Sequence, residues 1–256
     1  MKKKYWFLIL TITLFVSSCS KDENRILPIS THQAGVVITL DDDYVNEWVM
    51  AHNILKNYSW KATFCVSKVN QLSSEKINKL IALQDYGHEI AGHGLNHLNA
   101  ISTSNSIGID NYFNQEITPM LTFMNNNNLF VTSFAYPYGA RNIAIDSKLF
   151  TTFKMLRGTT YGSSTPSLQN CYYNNSNLVF GLGIDNSYPH FNISYFIQLL
   201  EYAKTNNKIL ILYAHKPVNI STANYQTEMN TLIQICDYVK YNNMKFYKLS
   251  ELYNLQ

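Results

Sequence analysis

Residues 35–43 read Gly35-Val36-Val37-Ile38-Thr39-Leu40-Asp41-Asp42-Asp43, a β-branched apolar run that stops at three carboxylates. A short run with no polar alternation, bounded by charge, fits a strand buried on both faces, as in a parallel sheet. The pattern recurs along the chain. Strand-like runs occupy 61–67, 88–92 (ending at His93), 131–136 (ending at Pro137), 154–159, 178–184, 208–214 (ending at His215) and 245–249. Helical spacing separates them over 45–57, 73–85, 105–125, 143–153, 193–205 and 227–241. Ser73-Ser74-Glu75 marks one helix start, and Pro119 predicts a bend in the third helix. Residues 125–128 and 161–176 read as loops.

Strand and helix in alternation predict βα units around a parallel sheet, hence an α/β fold. Seven or so units in one domain favour a barrel over a doubly wound sheet, the architectural alternative. In either, sites form beyond the carboxyl ends of strands. Those ends carry Asp41-Asp42-Asp43, His93, Tyr136-Pro137-Tyr138-Gly139 and His215.

His93 and His97 lie four apart, a spacing that lets two imidazoles share a metal. Two imidazoles and one carboxylate leave positions on a zinc ion open for water and substrate. The aspartate run is the obvious source of the carboxylate, because a cation relieves the repulsion between adjacent charges. Asp43 is read as a side-chain cap for the helix that begins near Val45.

The combination resembles the polysaccharide deacetylases, carbohydrate esterase family 4. Thr39-Leu40-Asp41-Asp42 is similar to that family's T-F-D-D motif, and His93-Gly94-Leu95-Asn96-His97 to its H-[ST]-x-x-H motif. Phe134-Ala135-Tyr136-Pro137-Tyr138-Gly139 resembles its R-x-P-Y-G region, and Leu210 to His215 its closing L-x-H motif. The likeness implies a distorted (β/α) barrel of about seven parallel strands and a metal-dependent hydrolase that removes acetyl groups from a carbohydrate. It implies Asp41 as catalytic base and Asp42, His93 and His97 as ligands of a divalent metal, zinc by default with cobalt or nickel possible. It further implies the Tyr138 backbone N–H as oxyanion donor and His215 as general acid, in a pocket partly lined by Leu212.

The sequence departs from the family pattern in four places. Gly94 replaces a hydroxyl residue that would brace the ligand loop, and Asp43 stands where glycine is usual. The third motif lacks the arginine that pairs with the catalytic base; Arg157, at a strand end, is expected to replace it, with Arg141 the other candidate. No D-x-x-D-W-like segment is clear, and Asp185 is expected to serve as the partner of His215. These departures keep a second reading open: a glycan-binding surface lipoprotein with a degenerate deacetylase site.

The amino terminus predicts export. Lys2, Lys3 and Lys4 precede a short apolar run, then Val16-Ser17-Ser18-Cys19, which looks like a lipobox. The expected organisation is a lipoprotein signal peptide at 1–18, a tether at 19–34 lipidated on Cys19, and one catalytic domain at 35–256. The lipid would anchor the protein to a bacterial outer membrane, on its periplasmic or cell-surface side. Without the three signal lysines, 17 basic side chains face 17 acidic ones, so no field for nucleic acid is expected. The expected partner is an acetylated polysaccharide or oligosaccharide, bound by a monomer. Tyr44, Tyr136, Tyr161, Tyr188 and Tyr213 are candidates for stacking on sugar rings, or for packing. His88 reads as structural; His32, His52 and His190 show no partner in sequence. Cys65, Cys171 and Cys236 permit one disulfide at most.

Overall fold

The structure is a computed structural model of the 256-residue chain and describes residues 32–162 and 165–256. The expected signal segment, Cys19 and nearly all of the tether lie outside the described residues. Among those described, no helix is long and apolar enough to cross a membrane.

Seven strands pair in parallel in chain order: β1 (Gly35–Asp42), β2 (Thr63–Val66), β3 (Glu89–Gly92), β4 (Ser133–Ala135), β5 (Met155–Thr160), β6 (Leu178–Gly183) and β7 (Ile209–Ala214). β7 pairs back onto β1, with Gly35 to Leu40 opposite Ile209 to Ala214, and closes the barrel. A parallel two-stranded ribbon, β8 (Lys216–Val218) with β9 (Gln226–Glu228), follows. β10 (Lys245–Tyr247) pairs with the first three residues of β1, and β2 takes over from Thr39. The expected α/β barrel of parallel strands is therefore the fold.

Among the described residues eight α-helices interleave: α1 (Val45–Leu55), α2 (Ser74–Asp85), α3 (Ala100–Ile107), α4 (Ile109–Tyr112), α5 (Thr118–Asn126), α6 (Ile143–Leu149), α7 (Ile193–Thr205) and α8 (Met229–Tyr241). Asn side chains cap α3, α6 and α7 by accepting from an N–H of the first turn. The helix expected over 105–125 is a broken one. Asn99 caps a start at Ala100, Gly108 at φ 89° interrupts it, and a π-helical turn at Phe113–Ile117 joins α4 to α5. Pro119 sits harmlessly in the first turn of α5, where its missing N–H costs nothing. Asp43 does not cap α1: Tyr44 occupies the cap position and makes no side-chain cap hydrogen bond. The ribbon β8–β9 had no signal in the sequence, its strands being only three residues long.

Strand residues alternate between two environments. Val36, Ile38, Leu40, Phe64, Ile90, Phe134, Leu156, Leu210 and Leu212 pack with the apolar helix faces into the main core. Burying such a side chain contributes about 1.5–3 kcal/mol. The opposite faces fill the lumen in two groups: Val37, Met155, Val179, Ile209 and Ile211 in one, and the small Cys65, Ala91 and Ala135 in the other. Cys65, Cys171 and Cys236 are free, buried thiols. His88 is structural, as expected. Its Nδ1 accepts from Ala62 N–H at 3.0 Å, so its Nε2–H donates to His52 Nδ1 at 2.8 Å.

β1 approaches β10 closely at Gly35. A Cβ there would lie 2.3 Å from the Lys245 carbonyl and 2.6 Å from the Tyr247 ring. Gly35→Ala is expected to cost about 1–3 kcal/mol by overpacking, read from urea denaturation. An unchanged midpoint would contradict the described contact.

Candidate active site and metal centre

The carboxyl ends of β1, β3, β4, β6 and β7 converge with their polar residues, as parallel packing requires. Asp41 points into the lumen and is almost fully buried, while Asp42 turns out of the strand at φ 85°. Asp42 Oδ1 lies 3.2 Å from His97 Nε2 and 3.7 Å from His93 Nε2, and the two imidazole nitrogens are 3.2 Å apart. The three donor atoms fall within 4.8 Å of one another.

The donor chemistry fits a divalent cation. His93 Nδ1 faces the Ala135 carbonyl at 2.9 Å. A carbonyl only accepts, so Nδ1 carries the proton and Nε2 keeps its lone pair for a metal. Burial pushes His93 down to about 3, which keeps the ring neutral. Burial pushes Asp42 up to about 6, with Asp41 and Asp43 adding like charge. A cation at this point would offset that cost. Asp42, His93 and His97 are therefore the residues able to hold a metal, as the sequence led one to expect.

Beneath them Arg157 Nη2 donates to both carboxylate oxygens of Asp41, at 2.5 Å to Oδ1. Both side chains are essentially inaccessible. Burial alone would raise the pKa of Asp41; Arg157, with His93 and His215, more than reverses this and keeps it ionised. Arg157 lies inside β5 rather than at a strand end as expected. Its length brings the guanidinium to Asp41, beside the buried Cys65 thiol. The Tyr213 ring centroid lies 5.1 Å from Cζ. Arg141, the other candidate, is bound to Asp146, which also accepts from Tyr136 Oη at 2.7 Å.

His215 follows β7. Its Nδ1 donates to Asp185 Oδ2 at 2.5 Å and its backbone N–H to Asp185 Oδ1 at 3.1 Å. Thr227 Oγ1 donates to the same carboxylate, and Trp48 Nε1–H holds the His215 carbonyl at 3.1 Å. Burial would lower the pKa of His215, but the hydrogen bond and charge of Asp185, then Asp41 and Asp42, raise it overall. The expected pairing of His215 with Asp185 is present. The expected place of Leu212 is not. Alternation turns Tyr213 toward Arg157, so Leu212 faces the helices in the main core instead of the His215 pocket.

Tyr138 sits in the left-handed region at φ 60°, and its hydroxyl lies 3.2 Å from His97 Nδ1. With Asp42 and His97 (φ 59°), three non-glycine residues of the site hold this conformation, each at a cost of about 1–3 kcal/mol. Of the tyrosines considered for sugar contact, Tyr136 and Tyr213 are buried. Tyr138 and Tyr225 are the exposed rings beside the site, edge-on to His97 and His215 at 4.7 and 5.1 Å. Glu116, which sequence reading did not single out, lies under the ligand loop and accepts from Asn96 N–H at 3.0 Å. Its only trace in sequence is indirect: a glycine at 94 where a side chain was expected.

The chain matches the family model described as Polysaccharide deacetylase over residues 29–149, the span that carries Asp41, Asp42, His93, His97 and Tyr138. Over that span the chain resembles the polysaccharide deacetylases. Solved deacetylase structures share its fold. A chitin deacetylase from the fungal pathogen Colletotrichum lindemuthianum superposes with a TM-score of 0.58 at 14% identity, over 87% of this chain and 88% of the other. The catalytic domain of a peptidoglycan N-acetylglucosamine deacetylase from Eubacterium rectale gives 0.55 at 14%, over 86% and 90%. The CE4 domain of a multidomain xylanase from the hindgut metagenome of Trinervitermes trinervoides gives 0.52 at 18%, over 87% and 91%. No curated protein matches the chain. Arg157, Asp185 and His215 lie beyond the residues matched by the family model, so their convergence is a finding of the structure.

Two predictions follow from the buried pairs. Arg157→Met leaves the Asp41 charge unpaired in the lumen and is expected to cost about 3–5 kcal/mol at pH 7. Without Arg157 desolvation dominates, so the Asp41 pKa rises above its ordinary value and the cost shrinks as pH falls. Denaturation at pH 7 and pH 5 checks this; equal costs at both would contradict it. Asp185→Asn removes the charge that raises His215. The imidazole of metal-free protein is expected to titrate at lower pH by NMR. The stability this pairing contributes, present at low pH and lost as pH rises through the folded pKa, goes with it. An unmoved titration would show that Asp185 does not set the charge of His215.

Proposed function

We propose that this chain hydrolyses acetyl groups from a carbohydrate, with an N-acetylated glycan as its main substrate class. The observation that carries the proposal is the buried Arg157–Asp41 pair lying against the Asp42–His93–His97 donor set. It is the arrangement that an ionised base beside a metal site would need. The substrates for which two structural relatives are named, chitin and peptidoglycan N-acetylglucosamine, support the substrate class. So do the exposed Tyr138 and Tyr225 rings, suited to the face of a neutral sugar.

A divalent metal held by Asp42, His93 and His97, zinc by default, would supply a Lewis acid and bring the pKa of water toward neutrality. The protein residues carry the remaining work. Asp41, ionised and fixed by Arg157, takes a proton from the attacking water. The Tyr138 backbone N–H donates to the carbonyl oxygen as negative charge grows on it, a contribution of about 3–4 kcal/mol for a well-aimed donor. His215 has Nδ1 committed to Asp185, which leaves Nε2 to protonate the departing amine as the C–N bond breaks. That protonation is worth about 10²–10⁴ in rate. Acetate and a free amine are the products; with an ester, an alcohol replaces the amine.

The lipobox-like Val16 to Cys19 supports export and lipid anchoring to a bacterial outer membrane. The balanced charge of residues 19–256, 17 basic against 17 acidic side chains, supports a neutral glycan over nucleic acid. The competing reading, a glycan-binding surface lipoprotein with a degenerate deacetylase site, rests on the altered second and fourth motifs and on the arginine missing from the third. Arg157 supplies that charge from β5, which favours the hydrolase.

The test is acetate release from N-acetylglucosamine oligomers and acetylated xylan, with and without chelator. Chelator-sensitive release is expected, reduced at least about 10²-fold in Asp41→Asn. Zinc-loaded protein that frees no acetate from either substrate would argue for the binding reading.

A further inference from the structure

We propose that Glu116 is the positioning residue of the metal-ligand loop, holding His97 in the conformation that aims Nε2 at Asp42. The inference rests on the reading above that Asp42, His93 and His97 bind metal.

The loop after β3 must place two ligands four residues apart without a helix to align them, because α3 begins only at Ala100. His97 meets Asp42 through a left-handed backbone at φ 59°. That conformation turns the N–H groups on either side of it toward one point. The Glu116 carboxylate occupies that point. Asn96 N–H lies 3.0 Å from both of its oxygens, Leu98 N–H 3.4 Å from Oε2, and Asn96 Nδ2 2.7 Å from Oε1. The Glu116 carbonyl adds a fourth tie, accepting from Leu95 N–H at 3.2 Å. One residue thus binds the loop at 95, 96 and 98 and leaves the His97 side chain free to face Asp42.

Two features show that the space is built for this carboxylate. Glu116 is fully buried, yet no Lys, Arg or His among the described residues forms an ion pair with it; the loop N–H groups are its partners. It projects from the π-helical turn at Phe113–Ile117, a widened turn of the kind that recurs at functional sites. Gly94 is its counterpart. A Cβ at 94 would lie 2.7 Å from Glu116 Oε2, and Gly94 itself has φ 81°. A side chain at 94 and a carboxylate at 116 compete for one volume. Where the family motif braces the loop with a hydroxyl at 94, this chain leaves 94 bare and braces the loop from the neighbouring helix segment.

A merely structural acid would hold α4 and α5 in place without regard to metal, and the test separates the two roles. Zinc affinity is measured by competition with a chromophoric chelator for wild type, Glu116→Ala and Glu116→Gln, beside the melting temperature of each metal-free protein. Metal-free Glu116→Ala is expected to fold, with its zinc Kd raised about ten- to a hundredfold and its kcat recovering as zinc is raised to saturation. Glu116→Gln keeps the volume and one acceptor oxygen, so its Kd should rise less; it decides the matter if the alanine variant does not fold. A zinc Kd within twofold of wild type in a folded variant overturns the inference and leaves the metal site standing. Wild-type protein that binds no zinc overturns the metal reading and this inference with it.

Discussion

Asp41 cannot stay ionised in the lumen of a closed barrel unless a cation is buried with it, and Arg157 is that cation. The pair is held where both partners have lost water, so each would be costly alone. Much of the surrounding design follows from that requirement. Cys65, beside the guanidinium, is a small side chain and shares a buried cluster with Ala91 and Ala135. Tyr213 turns its ring toward Arg157, and that choice sends Leu212 to the opposite face. The pair also sets the direction of the chemistry. A carboxylate kept charged beneath two neutral imidazoles is a base below a cation site; a protonated one would be a plug.

The mouth of the barrel is assembled from strand ends that the chain cannot relax independently. Asp42, His97 and Tyr138 each hold a left-handed backbone, and each is tied down by a neighbour. Asp42 O accepts from Ser67 N–H, His97 is flanked by the Glu116 contacts, and Gly139 N–H bonds Tyr136 O after Tyr138. Rigid neighbours therefore offset local strain at the very residues that would meet metal and substrate. On the other side of the mouth, Asp185 gathers His215 and Thr227, linking the end of β7 to β9.

The barrel was readable because its signal is repetitive: apolar runs of strand length ending in Asp41, His93, Pro137 and His215, separated by helical spacing. The Asp42–His93–His97 donor set was readable because residues able to hold a metal must be of particular types brought close together. Arg157 and Asp185 were within reach for a different reason, since the chemistry needs an arginine and an acid and few candidates exist. What stayed hidden depends on packing across elements. Glu116 lies 19 residues beyond His97 in a segment whose periodicity reads as plain helix; a single glycine was the one signal for the break at Gly108, and the π-helical turn has no propensity signature. Leu212 was misplaced because a motif fixes a position in the chain but not the face to which a strand turns it. The three-residue ribbon strands were too short to announce themselves.

The central claim is that Asp42, His93 and His97 form one metal site above the Arg157–Asp41 pair. Anomalous diffraction from zinc-soaked crystals tests it most directly. The account predicts a single strong peak about 2.0–2.2 Å from an Asp42 carboxylate oxygen and from Nε2 of both histidines. A zinc ion bound elsewhere, or these three side chains turned apart with no peak between them, would contradict it.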